Sequence, residues 1–261
     1  MPARALVIAV AILAGLFSAT RPAVAERLVA SLSMHRVLIT SNFTGTELVL
    51  FGTVERDAAS VPRRGDYGIV VTVIGPRQNL VTRRKERVLG LWVNTGSRTF
   101  VEVPAYLATL ATKPLSEIAG VETLRRLQLG PANVLLPQRI GPDLADVVPE
   151  DPYRAAFLRL KNSHGLYYEN TKAVTFLTPT LFRTTIPLPA ESPVGTYEVD
   201  VKLFADGTMI ARTTSAFEIV KVGFEQFVVT AARDYGLFYG LGTAAMALMT
   251  GFLASIVFRR D

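Results

Sequence analysis

The sequence predicts a mainly β body followed by one helix long enough to cross a membrane. Three observations carry this reading. Short apolar runs of alternating pattern fill the chain before residue 104 and again after residue 173, and turn residues punctuate them. From Tyr235 to Phe258, 24 residues pass without a charge. At 1.5 Å per residue that stretch is roughly 36 Å long, against a hydrocarbon core of about 30 Å.

Composition removes several kinds of chemistry. With 261 residues there is room for one large domain or two modest ones. Cysteine is absent, which excludes disulfides, thiol catalysis, iron–sulfur clusters and thiolate zinc. His35 and His164 are the only histidines, too few for a multi-histidine metal centre. No cofactor is expected.

Residues 1–25 have the layout of a signal peptide. Arg4 precedes the uncharged run Ala5 to Ala19, and Ala23-Val24-Ala25 fits the small-x-small cleavage rule. Cleavage after Ala25, the alternative being a retained anchor, removes Arg4 and Arg21 and leaves 26 basic against 22 acidic side chains, which makes no case for nucleic acid as a partner. A leader followed by one stop-transfer helix at 235–258 puts the bulk in the periplasm of a bacterium. Asp261 then lies inside, Arg259-Arg260 marks the inner-membrane edge, and 259–261 form a cytoplasmic tail. Within the helix, Gly236, Gly240, Ala244, Ala247, Gly251 and Ser255 are spaced 4, 4, 3, 4 and 4 residues apart, so small residues form one stripe. Such a stripe lets another helix approach closely, although Gly and Ala are common in any membrane helix. No ionisable residue lies in the span, which argues against a proton or ion pathway through it.

In the body, "ERLVASL" alternates at Leu28, Ala30 and Leu32, and "ELVLFGTVE" reads as a strand of the buried type. Strands are expected near 68–74, 79–84, 87–93 and 98–103, with turns at Gly75-Pro76 and Thr95-Gly96-Ser97. About 104–165 reads as helical: "PAYLATLAT" opens on a proline, "VETLRRLQLG" ends on Gly130, and Asp151-Pro152 caps "YRAAFLRLKNSHG". A proline-punctuated loop fills the space between the last two. Strands return in "LFRTTIPLP" and in "GTYEVDVKLFADGTMIARTTSAFEIV", where Tyr197, Val199, Val201 and Leu203 share a face and Asp206-Gly207 suits a tight turn. That closing hairpin has the form of the last two strands of an immunoglobulin-like module. The expectation is an immunoglobulin-like β-sandwich over 26–222 with a helical insertion, two separate domains being the alternative. Phe224, Phe227, Val228 and Ala231 recur at i, i+3, i+4 and i+7 and predict an amphipathic lead-in helix over 223–234.

Candidate sites are few. Arg83, Arg84, Lys85 and Arg87, with Arg63-Arg64 upstream, form the densest basic patch, fit for an anionic solute or anionic lipid, or simply for a solvated hairpin around Glu86. Trp92 lies in the apolar "VLGLWVN" and is expected in the core. Asp143, Asp146, Glu150 and Asp151 lack the spacing of a calcium loop. Met34-His35 has too few soft donors near it for copper, leaving Met209 and His164. "NFT" at 42–44 matches a glycosylation acceptor that a bacterial exported chain has no use for. No Gly-x-Ser-x-Gly is present, and no motif argues for an enzyme.

The stretches "SNFTGTELVLFG", "VPRRGDYGIVVTVIGPRQNLVTRRKERVLGLWVN", "DPYRAAFLRLK", "FLTPTLFRTTIPLPAESPVGTYEVDVKLFADG" and "GFEQFV" resemble the putative transmembrane protein family of alphaproteobacteria over essentially the whole mature chain. The resemblance implies no catalytic residue. Members of that family are often encoded beside sulfite-exporter-type permeases, so the resemblance implies, by association, an accessory role at the inner membrane. The expected function is therefore non-enzymatic: docking a membrane partner such as an anion exporter, or self-association, through the small-residue stripe. The alternative is capture of an anionic solute by Arg83, Arg84, Lys85 and Arg87.

Overall fold

A computed structural model describes residues 26–40, 42–55, 67–140, 143–146 and 150–257. The expected signal peptide over 1–25, Arg63-Arg64 and the tail 259–261 lie outside the described residues, as do the side chains of Asp143 and Asp146.

In chain order the strands are β1 (Arg27–Leu32), β2 (Arg36–Ile39), β3 (Gly45–Glu55), β4 (Gly68–Ile74), β5 (Arg77–Val88), β6 (Leu91–Pro104), β7 (Leu107–Ala111), β8 (Pro137–Ile140), β9 (Asp143–Asp146), β10 (Tyr167–Asn170), β11 (Thr175–Phe176), β12 (Leu181–Pro189), β13 (Gly195–Ala205) and β14 (Thr208–Lys221). They make three sheets, ordered β1-β3-β12-β11, β10-β7-β4-β13-β14-β2 and β5-β6-β8-β9. In the six-stranded sheet, the outer pairs β10–β7 and β14–β2 are parallel and the rest antiparallel. Early and late strands share the first two of these sheets: β3 pairs with β12, and β4 with β13. The protein is mostly β.

Alternation places the core. Leu48, Leu50 and Val54 of β3 point the same way and are buried, as are Tyr197, Val199, Val201 and Leu203 of β13. Together with Phe182, Ile186, Ile69, Val71 and Val73 they form one apolar cluster between the six-stranded sheet and the β1-β3-β12-β11 sheet. Gly52 lies on the same inward row of β3. A Cβ there would stand 2.2 Å from the Phe182 ring, so only glycine allows that close approach. The β13–β14 turn has Asp206 and Gly207 at φ +49° and +77°, the double left-handed geometry that a two-residue hairpin needs and that Asp-Gly supplies.

A second layer covers the far face of the six-stranded sheet. Helices α1 (Leu115–Ile118) and α2 (Val121–Arg126) bury Leu115, Ile118 and Leu124 against Val70 and Phe204. Helix α3 (Pro152–Ser163) sets Phe157 against Phe100 and Tyr167, with ring centroids 5.0 and 5.7 Å apart. Asp151 caps α3: its carboxylate accepts from the Tyr153 and Arg154 amides at 2.8 and 3.1 Å.

Several expectations need correction. "ELVLFGTVE" is not buried on both faces, because Phe51 is exposed; one face of β3 meets the core and the other is largely open. The segment 104–165 is not wholly helical. "PAYLATLAT" forms β7, whose five residues are all buried between β4 and β10. An evenly apolar run carries no period, and two strand neighbours plus cover on both faces decided it. The expected proline loop carries a 3-10 turn (Pro131–Asn133) and the β8–β9 hairpin. The turn expected at Thr95-Gly96-Ser97 lies instead at Leu89-Gly90. Arg84 opposes Gly96 and Lys85 opposes Asn94, so Thr95 is the extra residue of a β-bulge. The strand expected near 87–93 is therefore split by that turn, while 79–84 lies within the long β5 and 98–103 within the long β6.

Helix α4 (Phe224–Asp234) leads into α5 (Gly236–Val257). The latter is a candidate membrane span, mean hydropathy 1.5 over Gly236–Ile256, with none of its hydrophobic window buried against the rest of the chain.

Candidate functional site

The six small residues occupy α5, and a Cβ added at Gly236, Gly240 or Gly251 would meet nothing within 4 Å. The stripe therefore faces no described part of this chain. Its polar neighbours are satisfied within the helix: the hydroxyls of Thr243 and Thr250 donate to the Gly240 and Met246 carbonyls at 2.9 and 2.8 Å. What remains is a smooth, uncharged face.

The basic segment sits on β5, at the free edge of the third sheet. Strand alternation puts Thr82, Arg84 and Glu86 on one side, and Arg83, Lys85 and Arg87 on the other. Arg84 and Glu86 form an ion pair at 2.6 Å, open to water and so of little energetic weight. Arg87 donates to the Gly90 carbonyl at 3.3 Å and braces the turn. Arg83, Arg84 and Lys85 line a cleft of about 450 Å³ together with Thr82, Pro152, Tyr153, Ala156 and Arg159. Arg87 does not line it.

Sequence reasoning missed Tyr153 and Arg159. Their spacing with Ala156, at i, i+3 and i+6, marks one side of α3, but nothing in the sequence says that this side turns to β5. The approach is tight: a Cβ at Gly96 would stand 2.4 Å from the Tyr153 hydroxyl. Arg98 lies over the Tyr153 ring, 5.2 Å from its centroid, pairs with Asp151 at 3.4 Å and donates to Gln138. Nearby, Lys161 donates to the Ala105 carbonyl at 2.9 Å and stands 5.8 Å from the centroids of both Phe157 and Tyr167. Burial lowers its ammonium pKa below the ordinary lysine value.

Trp92 corrects a further expectation. It is not core: 70 % of it is exposed, beside Leu91 at 71 % and Leu89 at 99 %. The apolar run "VLGLWV" is the outer end of the β5–β6 hairpin, where no layer covers it.

His164 Nδ1 lies 2.7 Å from a Glu191 carboxylate oxygen, an exposed pair. Among the described residues, no three His, Asp or Glu side chains gather to hold a metal ion. The most buried ion pair, Asp200 with Lys202, is joined by Arg212 at 2.8 Å, and the Asp200 carboxylate holds the Arg212 guanidinium pKa up. Strand neighbours on β13 and β14 are thereby tied across the sheet face.

A β-rich body joined to a bare apolar helix, the one candidate span among the described residues, defines a candidate membrane protein. The family model described as "Putative transmembrane protein (Alph_Pro_TM)" matches residues 27–260, and the chain belongs to that family. No curated protein matches it. Among solved structures it is similar to the N-terminal domain of the Streptococcus gordonii adhesin Sgo0707, at 9 % identity and a TM-score of 0.26. That match covers 74 % of this chain and 32 % of the other, so the chain spans about a third of the structure it matches.

Proposed function

We propose that this protein is a non-enzymatic accessory protein of the bacterial inner membrane. Its body stands in the periplasm and its C-terminus in the cytoplasm, and its work is docking a membrane partner such as an anion exporter. One observation carries the reading: α5 is long, uncharged and unburied, and follows directly on a folded β body. The small-residue stripe supplies the contact face, with self-association as the homotypic form of the same contact. Gly240→Leu with Gly251→Leu abolishes co-purification of the partner from native membranes, read by crosslinking and identification of what is bound. Unchanged complexes overturn the docking role.

The immunoglobulin-like reading of the body draws support from strand order. The orders β1-β3-β12-β11 and β10-β7-β4-β13-β14 correspond to A-B-E-D and C″-C′-C-F-G of a variable-type sandwich. Tyr197, at the start of the F-like β13, donates to the Pro193 carbonyl at 2.7 Å as a tyrosine corner does. Val199 stands two residues on, where antibody domains carry cysteine. The parallel β10–β7 pair departs from that pattern, and α1 to α3 lie in the crossover that such a pair requires.

The cleft favours a second reading, capture of an anionic solute. Arg159 and Tyr153 line it with Arg83, Arg84 and Lys85, so basic residues of β5 and α3 and a phenol border one concavity. Sulfite or a simple sulfonate binds the full chain in detergent, and binding is lost in Arg84→Gln/Arg159→Gln and at high salt. Binding indifferent to both changes rejects this reading.

A further inference from the structure

We propose that the tip of the β5–β6 hairpin dips into an anionic lipid surface, giving the body a second hold on the bilayer besides α5. This rests on the reading that α5 crosses the membrane. Four observations meet at the tip.

The first is its chemistry. Val88, Leu89, Leu91, Trp92 and Val93 are all exposed and consecutive around Gly90. Turns in water favour Gly, Asn, Asp, Ser and Pro, yet the outermost residue here is a fully exposed leucine. Leu89 is also held at φ +49°, a region that costs a side chain like leucine energy. An apolar tip makes physical sense where the turn meets hydrocarbon rather than water.

The second is the collar behind it. Arg83, Arg84, Lys85 and Arg87 follow on β5, interrupted only by Glu86. At about 3.3 Å per residue, the four cations lie roughly 7 to 20 Å back from Leu89. An interfacial element buries its apolar part about 5–10 Å into the acyl boundary, which leaves these cations among and above the headgroups. Anionic phosphates there match four positive side chains, and Trp92 has the amphipathic ring that prefers this depth.

Position supplies the third. At its far end β4 sets Ile74 opposite Glu198, next to the start of β13. Gly195 pairs with Ile219 of β14, and the Pro76 ring lies 3.2 Å from where a Gly195 Cβ would stand. The hairpin thus springs from the end of the six-stranded sheet at which β14 runs out through Lys221 to α4 and α5. Hairpin root and membrane tether leave the body together.

The fourth separates lipid from a protein partner. β5 is the edge strand of its sheet, the place where a partner would add a strand. Closely spaced Lys and Arg on an edge are what discourages such pairing. Lipid needs no backbone partner.

Trp92 is the only tryptophan of the chain, so fluorescence excited at the red edge of the tryptophan band, where tyrosine does not absorb, reads the tip alone. The experiment uses the full chain reconstituted into vesicles of phosphatidylethanolamine with phosphatidylglycerol, and into phosphatidylcholine vesicles for comparison. In the anionic vesicles, Trp92 emission moves to the blue, is quenched by lipids brominated on their acyl chains, and is shielded from aqueous iodide. Each of Arg83, Arg84, Lys85 and Arg87 changed to Gln reduces the inserted population about fivefold. Leu89→Ser/Leu91→Ser, which keeps Trp92, restores the water-exposed emission. Trp92 equally open to iodide in both vesicles overturns the proposal, as does a blue shift that appears only when another protein is added. Flotation after a carbonate wash reads α5 independently: a protein that floats with a wet Trp92 rejects the tip alone, whereas one that washes off rejects the span and the tip with it.

Discussion

The β13–β14 and β5–β6 hairpins are almost the same size, with strands of 11 and 14 residues against 12 and 14, yet they meet opposite surroundings. From Val199 to Ala205, β13 is buried on both faces. In β5 Thr82 alone is buried. The difference lies in the layers around each strand. β13 sits between β4 and β14, with the sandwich core on one face and Phe204 under α1 and α2 on the other. β5 has β6 on one edge, no described strand on the other, and α3 beside only its middle. Burial belongs to the neighbours of a strand, and an apolar sequence left without neighbours is available for something outside the chain.

That contrast is open to measurement by unfolding the full chain in detergent. The largest effect is expected at the heart of β13, where Leu203→Ala costs about 2–5 kcal/mol by removing methyl groups from a closed cluster. A loss below about 1 kcal/mol would show a core far more pliant than its burial implies. Gly52→Ala comes next, at about 1–3 kcal/mol, because the new methyl group must displace the Phe182 ring. Asp151→Ala costs about 1 kcal/mol by uncapping α3, and it sharpens the comparison because α3 is the one helix lying against the base of the projecting hairpin.

A subtler test concerns Lys161 in the last turn of that helix. Burial lowers its pKa in the folded state, so below the ordinary lysine value the unfolded chain binds more protons than the folded one. Stability therefore rises with pH through that alkaline window and levels off above the ordinary value. Lys161→Met flattens this rise, visible in unfolding midpoints taken across the window. The smallest effect is expected at the tip: Leu91→Ser changes stability by no more than about 0.5 kcal/mol in detergent, although it removes a large apolar side chain. A larger loss would mean the tip is packed against something in the folded body.

Local rules made part of this fold legible. Asp206-Gly207 between two alternating runs announced the β13–β14 hairpin, Asp151-Pro152 announced the start of α3, and the uncharged stretch announced α5. Each signal acts over a few residues, so the sequence carries it whole. Periodicity failed where it was absent or shared. β7 is evenly apolar and looks like a helix until β4 and β10 are seen on either side. Trp92 lies in a run as apolar as a core strand, and no residue near it says that the third sheet leaves it uncovered. At the basic segment, Arg83, Arg84 and Lys85 were evident as a cluster, while Arg159 and Tyr153 were not, because they lie some 70 residues away along the chain.

By itself, then, the sequence determined the mainly β character, the Asp206-Gly207 turn, the helix cap and the bare apolar helix, since these depend on backbone preference and side-chain polarity within one segment. Tertiary structure alone decided which apolar runs are dry. It drew β7 into the middle of a sheet, closed the sandwich with strands from both ends of the chain, set α3 beside the arginines, and left the "VLGLWV" tip outside. Such choices depend on contacts between segments far apart in the chain, and their energies exist only once those segments are packed.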